Sequence, residues 1–341
     1  MKNLLLLSLI ALFGCSPYRY LSIETHNPAS ITFPAQMRRV LIVNNTVSQD
    51  DVPFESAMRV QPDSVTISAD STAFDFCLAL GEALAGFQGF DDVRLLEGSI
   101  RKDMSPLSAP TLERDEVELL CDEHGIDVVI SLDRLLFTVS EQTRNLYGFQ
   151  IQNVSNIEMS GVLRVYAPGR ETQMTAILLS DTVAYEVWFE YHDSDYWDLF
   201  LPADQYNLLR ESAKYLADKA RTNFVPHWVG DVRWYYRSYE ARWKQATAYA
   251  DSEKWDKALD IWRELYERTS SWKKKARLCS NIAVGLEMAG DFEQALKYAK
   301  QSHQLMHDNL GAGDAFTKKQ ERYVTVLSNR IIENQKLRMQ H

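Results

Sequence analysis

Proline and glycine are scarce, at 10 and 14 of 341 residues, so the chain has no long stretch composed like a linker or a disordered tail. Cysteine is scarcer still: four residues, no two of them spaced C-x-x-C, which excludes the common zinc and thioredoxin-type frameworks. No apolar run reaches the roughly 20 residues that a bilayer-spanning helix needs. Positive charge is in deficit, with 37 Lys and Arg against 47 Asp and Glu. A net charge of −10 is the wrong sign for a nucleic-acid binder and for a general grip on anionic lipid. Catalytic signatures are missing as well: no G-x-S-x-G, no H-E-x-x-H, and no P-loop lysine after Gly311-Ala312-Gly313. The expectation is a protein that is not an enzyme and needs no cofactor or metal.

What is present begins at the amino terminus. Lys2 is followed by an apolar run from Leu4 to Phe13, broken only by Ser8. One positive charge, a short apolar core and a small residue before the cut describe a secretory signal over residues 1–14. Leu12-Phe13-Gly14-Cys15 resembles the lipobox of bacterial lipoproteins. The resemblance implies cleavage before Cys15, a diacylglyceryl thioether on its sulfur and acylation of the new amino group. Two or three chains, at about 0.8 kcal/mol per buried CH₂, hold a protein stably on a membrane. An ordinary cleaved signal with an incidental cysteine is the alternative.

Residues 15–36 read as a lipidated tether, because Pro17, Pro28 and Pro34 disfavour helix and polar residues dominate. Some lipoproteins of the Bacteroidota carry acidic residues just after the cysteine, marking them for the cell exterior. Ser16-Pro17-Tyr18-Arg19-Tyr20 has none, so by that resemblance the protein sits in the outer membrane facing the periplasm.

Residues 37–225 read as a mixed α/β domain. Val40-Leu41-Ile42-Val43 is apolar throughout, as in a strand buried on both faces. Phe74, Cys77, Leu78, Gly81 and Leu84 recur at helical spacing, and Val93 to Leu96 makes a short strand. Thr111 is placed to cap a helix bearing Val117, Leu120 and Cys121, ended by Gly125. Ile126 to Phe137 returns to strand. Ile157 to Tyr166 and Thr172 to Glu190 then alternate with period two around Pro168-Gly169, a long antiparallel hairpin with one buried face and one wet face. A helix from Ala203 to Phe224 closes the domain before Pro226. This β-α-β-α-β order with an appended hairpin resembles the small periplasmic domain of the curli secretion-channel lipoprotein and of the lipoprotein activators of penicillin-binding proteins. Those domains bind partners and do not catalyse.

Residues 226–341 read as an all-α domain. Ala258 and Ala295 align at an offset of 295 − 258 = 37, and the register holds for Ala246 with Ala283, Tyr249 with Leu286 and Trp255 with Phe292. These positions resemble a tetratricopeptide repeat, whose usual period is about 34. In such hairpins small alanines let helices approach while the aromatic fills the wedge between units. A helix over Phe224 to Tyr239 is expected to stack on one end and Asp314 to Lys336 to cap the other. The whole resembles uncharacterised Bacteroidota lipoprotein families that combine an α/β domain with such repeats, which implies docking to envelope protein partners.

Several polar groups were candidates for metal. His303, His307 and Asp308 share a helix, and His192, Asp193 and Asp195 crowd a loop, but neither set has the ligand pattern of a known site. The aromatic cluster at 185–239 is the strongest candidate surface, with Trp188, Trp197, Trp228 and Trp234 able to take a glycan or peptide. Core between the domains is the competing reading for these rings.

Overall fold

The computed structural model describes the chain except residues 1–16, 51, 53, 57–68, 70, 103, 146–149, 170–174, 191–202 and 341. It forms two compact units: Ala29–Val225, and a second made of the described residues up to Pro28 together with Pro226–Met339. An α/β unit followed by an all-helical region is the fold class expected from the sequence.

The α/β unit holds β2 (Arg39–Asn44), β3 (Phe54–Ser56), α1 (Thr72–Ala85), β4 (Asp92–Ser99), α2 (Arg114–His124), β5 (Val128–Asn145), β6 (Gln150–Tyr166), β7 (Thr175–Glu190) and α3 (Ala203–Arg221). The sheet order is β4-β2-β5-β6-β7, with β3 pairing β5. Strands β4, β2 and β5 are parallel, while β5-β6-β7 run antiparallel. The unbroken apolar run of β2 is explained by cover on both faces. Val40 and Ile42 pack with Phe76, Leu80 and Leu84 of α1 and with Leu209, Ala213 and Leu216 of α3. Leu41 and Val43 face Val117 and Cys121 of α2. Helix α2 stops at Gly125, whose φ of +64° suits glycine, with its N–H and that of Ile126 both on the Cys121 carbonyl.

Three expectations change here. Helix α2 is capped at Glu113, not Thr111, and the Glu113 N–H donates to Glu116 Oε2 at 3.0 Å. The second face of β6 is not uniformly wet: Val162 and Tyr166 are buried, the latter because its hydroxyl accepts from the Leu112 N–H. The segment after Pro28 is no tether either, since the Ile31 N–H donates to the Asn223 carbonyl and Phe33 stacks on Phe224.

The second unit opens with β1 (Tyr18–Asn27), which pairs antiparallel with β8 (His227–Tyr236). Both strands correct the sequence reading. The tether over 15–36 contains a ten-residue strand, and the helix expected over Phe224 to Tyr239 is the other half of the same ribbon. Pro17 and Pro28 bound β1 instead of interrupting it, so no ladder hydrogen bond is lost. Five helices follow: α4 (Ala241–Asp251), α5 (Trp255–Arg268), α6 (Trp272–Met288), α7 (Phe292–Leu310) and α8 (Ala315–Gln340). Asn281 on α6 joins them to the ribbon, accepting from the Tyr236 N–H at 2.6 Å and donating to its carbonyl at 2.9 Å. The Trp243 indole N–H donates to the same carbonyl. Gly285 allows α6 to sit on α5, for a Cβ there would lie 2.9 Å from Leu259 Cγ. Among the described residues no helix is long and apolar enough to cross a membrane.

Candidate functional site

The repeat positions divide by size. Ala246, Ala258, Ala283 and Ala295 are fully buried between helices and Leu286 nearly so. Tyr249, Trp255 and Phe292 are half-buried at helix edges. Cys15 and Trp197 lie outside the described residues. Trp188 falls in β7 opposite Gln152, and its side chain is likewise outside them.

The two remaining tryptophans have different surroundings. Trp228 is 65% exposed and stacks on its cross-strand partner His26, with centroids 4.7 Å apart. Trp234 is half-buried against Tyr323, centroids 5.3 Å apart. It pairs in register with Tyr20, next to Tyr18 and Tyr236. Lys319 of α8 reaches into this group, its Nζ 3.7 Å from the Tyr18 ring centre, 4.4 Å from Trp234 and 4.9 Å from Tyr20. Three rings about one ammonium form a cation–π clamp that ties the start of the described chain to its last helix.

Beside the clamp lies a cleft of about 90 Å³. Tyr236, Trp272, Leu310 and Phe316 line it, and Tyr18 lies against two of them, 5.0 Å from Tyr236 and 6.2 Å from Phe316. Charges of both signs share it. Arg277 is half-buried with its guanidinium 5.4 Å from the Tyr236 ring centre, and no ion pair holds it among the described residues. Asp314 caps α8, its Oδ1 accepting from the Phe316 and Thr317 N–H groups.

A buried ion pair fixes the ribbon to the helices. Arg233 and Glu287 are each about 2% exposed, with Arg233 Nε 2.9 and 3.0 Å from the two carboxylate oxygens. Tyr323 donates its hydroxyl to Glu287 at 2.7 Å. Burial, then the adjacent Glu287 charge, drives the Tyr323 pKa well above its ordinary value, so it stays a donor. Burial opposes the charge on Arg233, but Glu287 and Asp231 outweigh it and raise its pKa.

The α/β unit has its own polar cluster at the carboxyl ends of the parallel strands β2 and β4, beside the bulge in β5, a position where open α/β sheets place ligands. Asp133, fully buried at a bulge in β5, accepts from Arg164 at 2.6 Å, Asn45 at 3.0 Å and Ser131 at 2.6 Å. Arg101 donates to the carbonyls of Asn45, Asp133, Ser105 and Ser108. The chain's own loop therefore fills that crevice. His303 and His307 sit with ring centres 6.0 Å apart on α7, and among the described residues no group of three His, Cys, Asp or Glu side chains could hold a metal. His192, Asp193 and Asp195 lie outside the described residues. Cys77, Cys121 and Cys279 are buried free thiols whose pKa burial pushes up, to about 12, 11 and 12.

Sequence reasoning marked Trp228 and Trp234 but missed Arg277, Lys319, Arg233 and Glu287. The run Trp272-Lys273-Lys274-Lys275-Ala276-Arg277 carried a signal for the first, as a basic cluster in an acidic chain. The others depend on pairing across the chain, as between Lys319 and Tyr20, 299 positions apart.

With this geometry in place the family can be stated. A model described as a domain of unknown function, DUF8603, matches residues 37–236, more than half of the chain. The chain belongs to the DUF8603 family. A second domain of unknown function, DUF6340, matches residues 244–329, within the helices. The first match extends through β8, although β8 pairs with β1 in the other unit. No curated protein matches the chain. Among solved structures it is similar to a minor lipoprotein from Acinetobacter baumannii, at 9% identity over 56% of this chain and 98% of that one, TM-score 0.24. A neuraminyllactose-binding hemagglutinin homolog from Helicobacter pylori gives 9%, 53%, 82% and 0.26 for the same quantities. A hypothetical protein from Chlamydia trachomatis gives 9%, 55%, 97% and 0.20. Likenesses at these scores establish neither a shared fold nor a shared activity.

Proposed function

We propose that this protein is a lipid-anchored, non-catalytic interaction protein of the cell envelope, held in the outer membrane and facing the periplasm. The observation that carries the reading is the export signal ending in Leu12-Phe13-Gly14-Cys15, followed almost at once by folded chain at Tyr18. Acyl chains on Cys15 would hold both folded units at a membrane surface. The stacked helices α4 to α8, read as tetratricopeptide-like hairpins, would offer protein partners a surface there. Mass spectrometry of the mature chain tests the anchor: the expected mass begins at Cys15 with acyl groups added, and a bare cysteine overturns it. Pull-down from solubilised envelopes tests the role, with stoichiometric protein partners expected.

A second reading is favoured by Trp228. A tryptophan 65% exposed and stacked on histidine presents a flat apolar face of the kind on which sugars stack. Glycan-array binding lost in Trp228→Ala, together with no protein partner in the pull-down, would support a glycan receptor over an adaptor.

A further inference from the structure

The cleft beside Tyr18 has a charge pattern that docking of a wholly apolar partner does not explain. Lys273, Lys274, Lys275 and Arg277 lie within two turns of α6. Lys274 is paired with Glu240 at 2.5 Å, and Lys275 lies over the Tyr266 ring at 5.4 Å. Lys273 and Arg277 line the cleft, and neither makes an ion pair among the described residues. Asp314 supplies the one negative charge among the residues lining it. Its Oδ1 is committed to capping α8, and its second oxygen makes no hydrogen bond among the described residues. A bare anion would meet Asp314, and a bare cation would meet Arg277 and Lys273.

We infer that the cleft takes the head group of a phospholipid carrying both a phosphate and a primary ammonium. The phosphate lies at Arg277 and Lys273, the ammonium at Asp314, and Trp272, Leu310 and Phe316 flank the glycerol end. Lipid is preferred to peptide because of how near the proposed anchor at Cys15 lies. Tyr18 is three positions after Cys15, at most about 11 Å of extended backbone, and it packs on two rings of the cleft. This placement at a membrane rests on the acylation proposed above. A basic pair among apolar side chains at a lipid surface is complementary to phosphate, even in a chain of net charge −10.

Titration of the mature-length chain carrying Cys15→Ser, which has no thiol to acylate, with dihexanoyl phosphatidylethanolamine below its micelle concentration tests the site. Saturable binding is expected, weakened about tenfold or more by Arg277→Ala because a charge-assisted bond is lost. Asp314→Asn keeps the helix cap, since Asn and Asp cap about equally well. It is expected to shift preference toward dihexanoyl phosphatidylglycerol, which lacks the ammonium, an effect that a merely structural role would not produce. No saturation, equal affinity in Arg277→Ala, unchanged preference in Asp314→Asn, or capture of short zwitterionic peptides that phosphatidylethanolamine does not displace would each overturn the inference. A bare Cys15 in the wild-type mature chain would sink the anchor alone, and the titration would still decide the site.

Discussion

The two units bury charge by different means. In the α/β unit, Asp133 is out of water but receives three donors, and its cation Arg164 keeps 15% of its side chain exposed. In the helical unit both members of the Arg233–Glu287 pair are about 2% exposed, with Asp231 as a second carboxylate on Arg233 and the Tyr323 hydroxyl donating to Glu287. A sheet bulge with loop carbonyls nearby can redistribute a lost contact. A pair enclosed on both sides by ribbon and helices has less room to do so. Removing one partner from a fully buried pair strands a charge, which costs far more than the pair itself contributes.

That contrast can be broken at its strong end first. Arg233→Met is expected to destabilise the helical unit by about 3–5 kcal/mol, seen as a lower urea midpoint, and Glu287→Leu in the same chain should restore most of it. Asp133→Asn, which keeps shape and removes charge, should cost about 1–3 kcal/mol by the same measurement. Equal losses from the two single changes would erase the distinction. Gly285→Ala comes next, at about 1–3 kcal/mol from overpacking against Leu259, read as a lower melting temperature. Lys319→Met should cost least, about 0.5–2 kcal/mol, because the rings can close on the vacated space.

The thiols sharpen the comparison, being buried in both units. Cys77 and Cys279 should resist a disulfide reagent at pH 8.5 in the native chain and react on denaturation. Their native pKa values, raised by burial to about 12, lie above the unfolded thiol value. Their contribution to stability is therefore complete below about pH 8.5 and declines as pH rises from there toward 12. Denaturant midpoints across that range should fall, and Cys77→Ala should flatten the decline.

Much of the α/β unit was legible because its period is local. Val40 to Val43 announced a doubly covered strand, and the alternation from Ile157 to Val165 announced one face of a hairpin. The alanine register at 246, 258, 283 and 295 marked the helices for the same reason. The β1–β8 ribbon was hidden by its uneven cover. In β8, Arg233, Tyr235 and Tyr236 are buried while Trp228, Val229 and Val232 are exposed, so no period-two pattern marks it. In β1 the alternation of Leu21, Ile23 and Thr25 was present, but the flanking prolines suggested a linker. The site was half visible: composition revealed the rings, the basic run at 273–277 went unread, and nothing local places Lys319 among Tyr18, Tyr20 and Trp234.

Everything about placement turns on whether folded structure starts within three residues of Cys15. Amide hydrogen exchange over residues 18–27 of the acylated chain measures this directly. Protection comparable to that of residues 227–236 is expected, lost from both segments together when Lys319 and Arg233 are substituted. Exchange of 18–27 at the rate of an unstructured peptide, with 227–236 still protected, would contradict the ribbon and return the segment to a free tether.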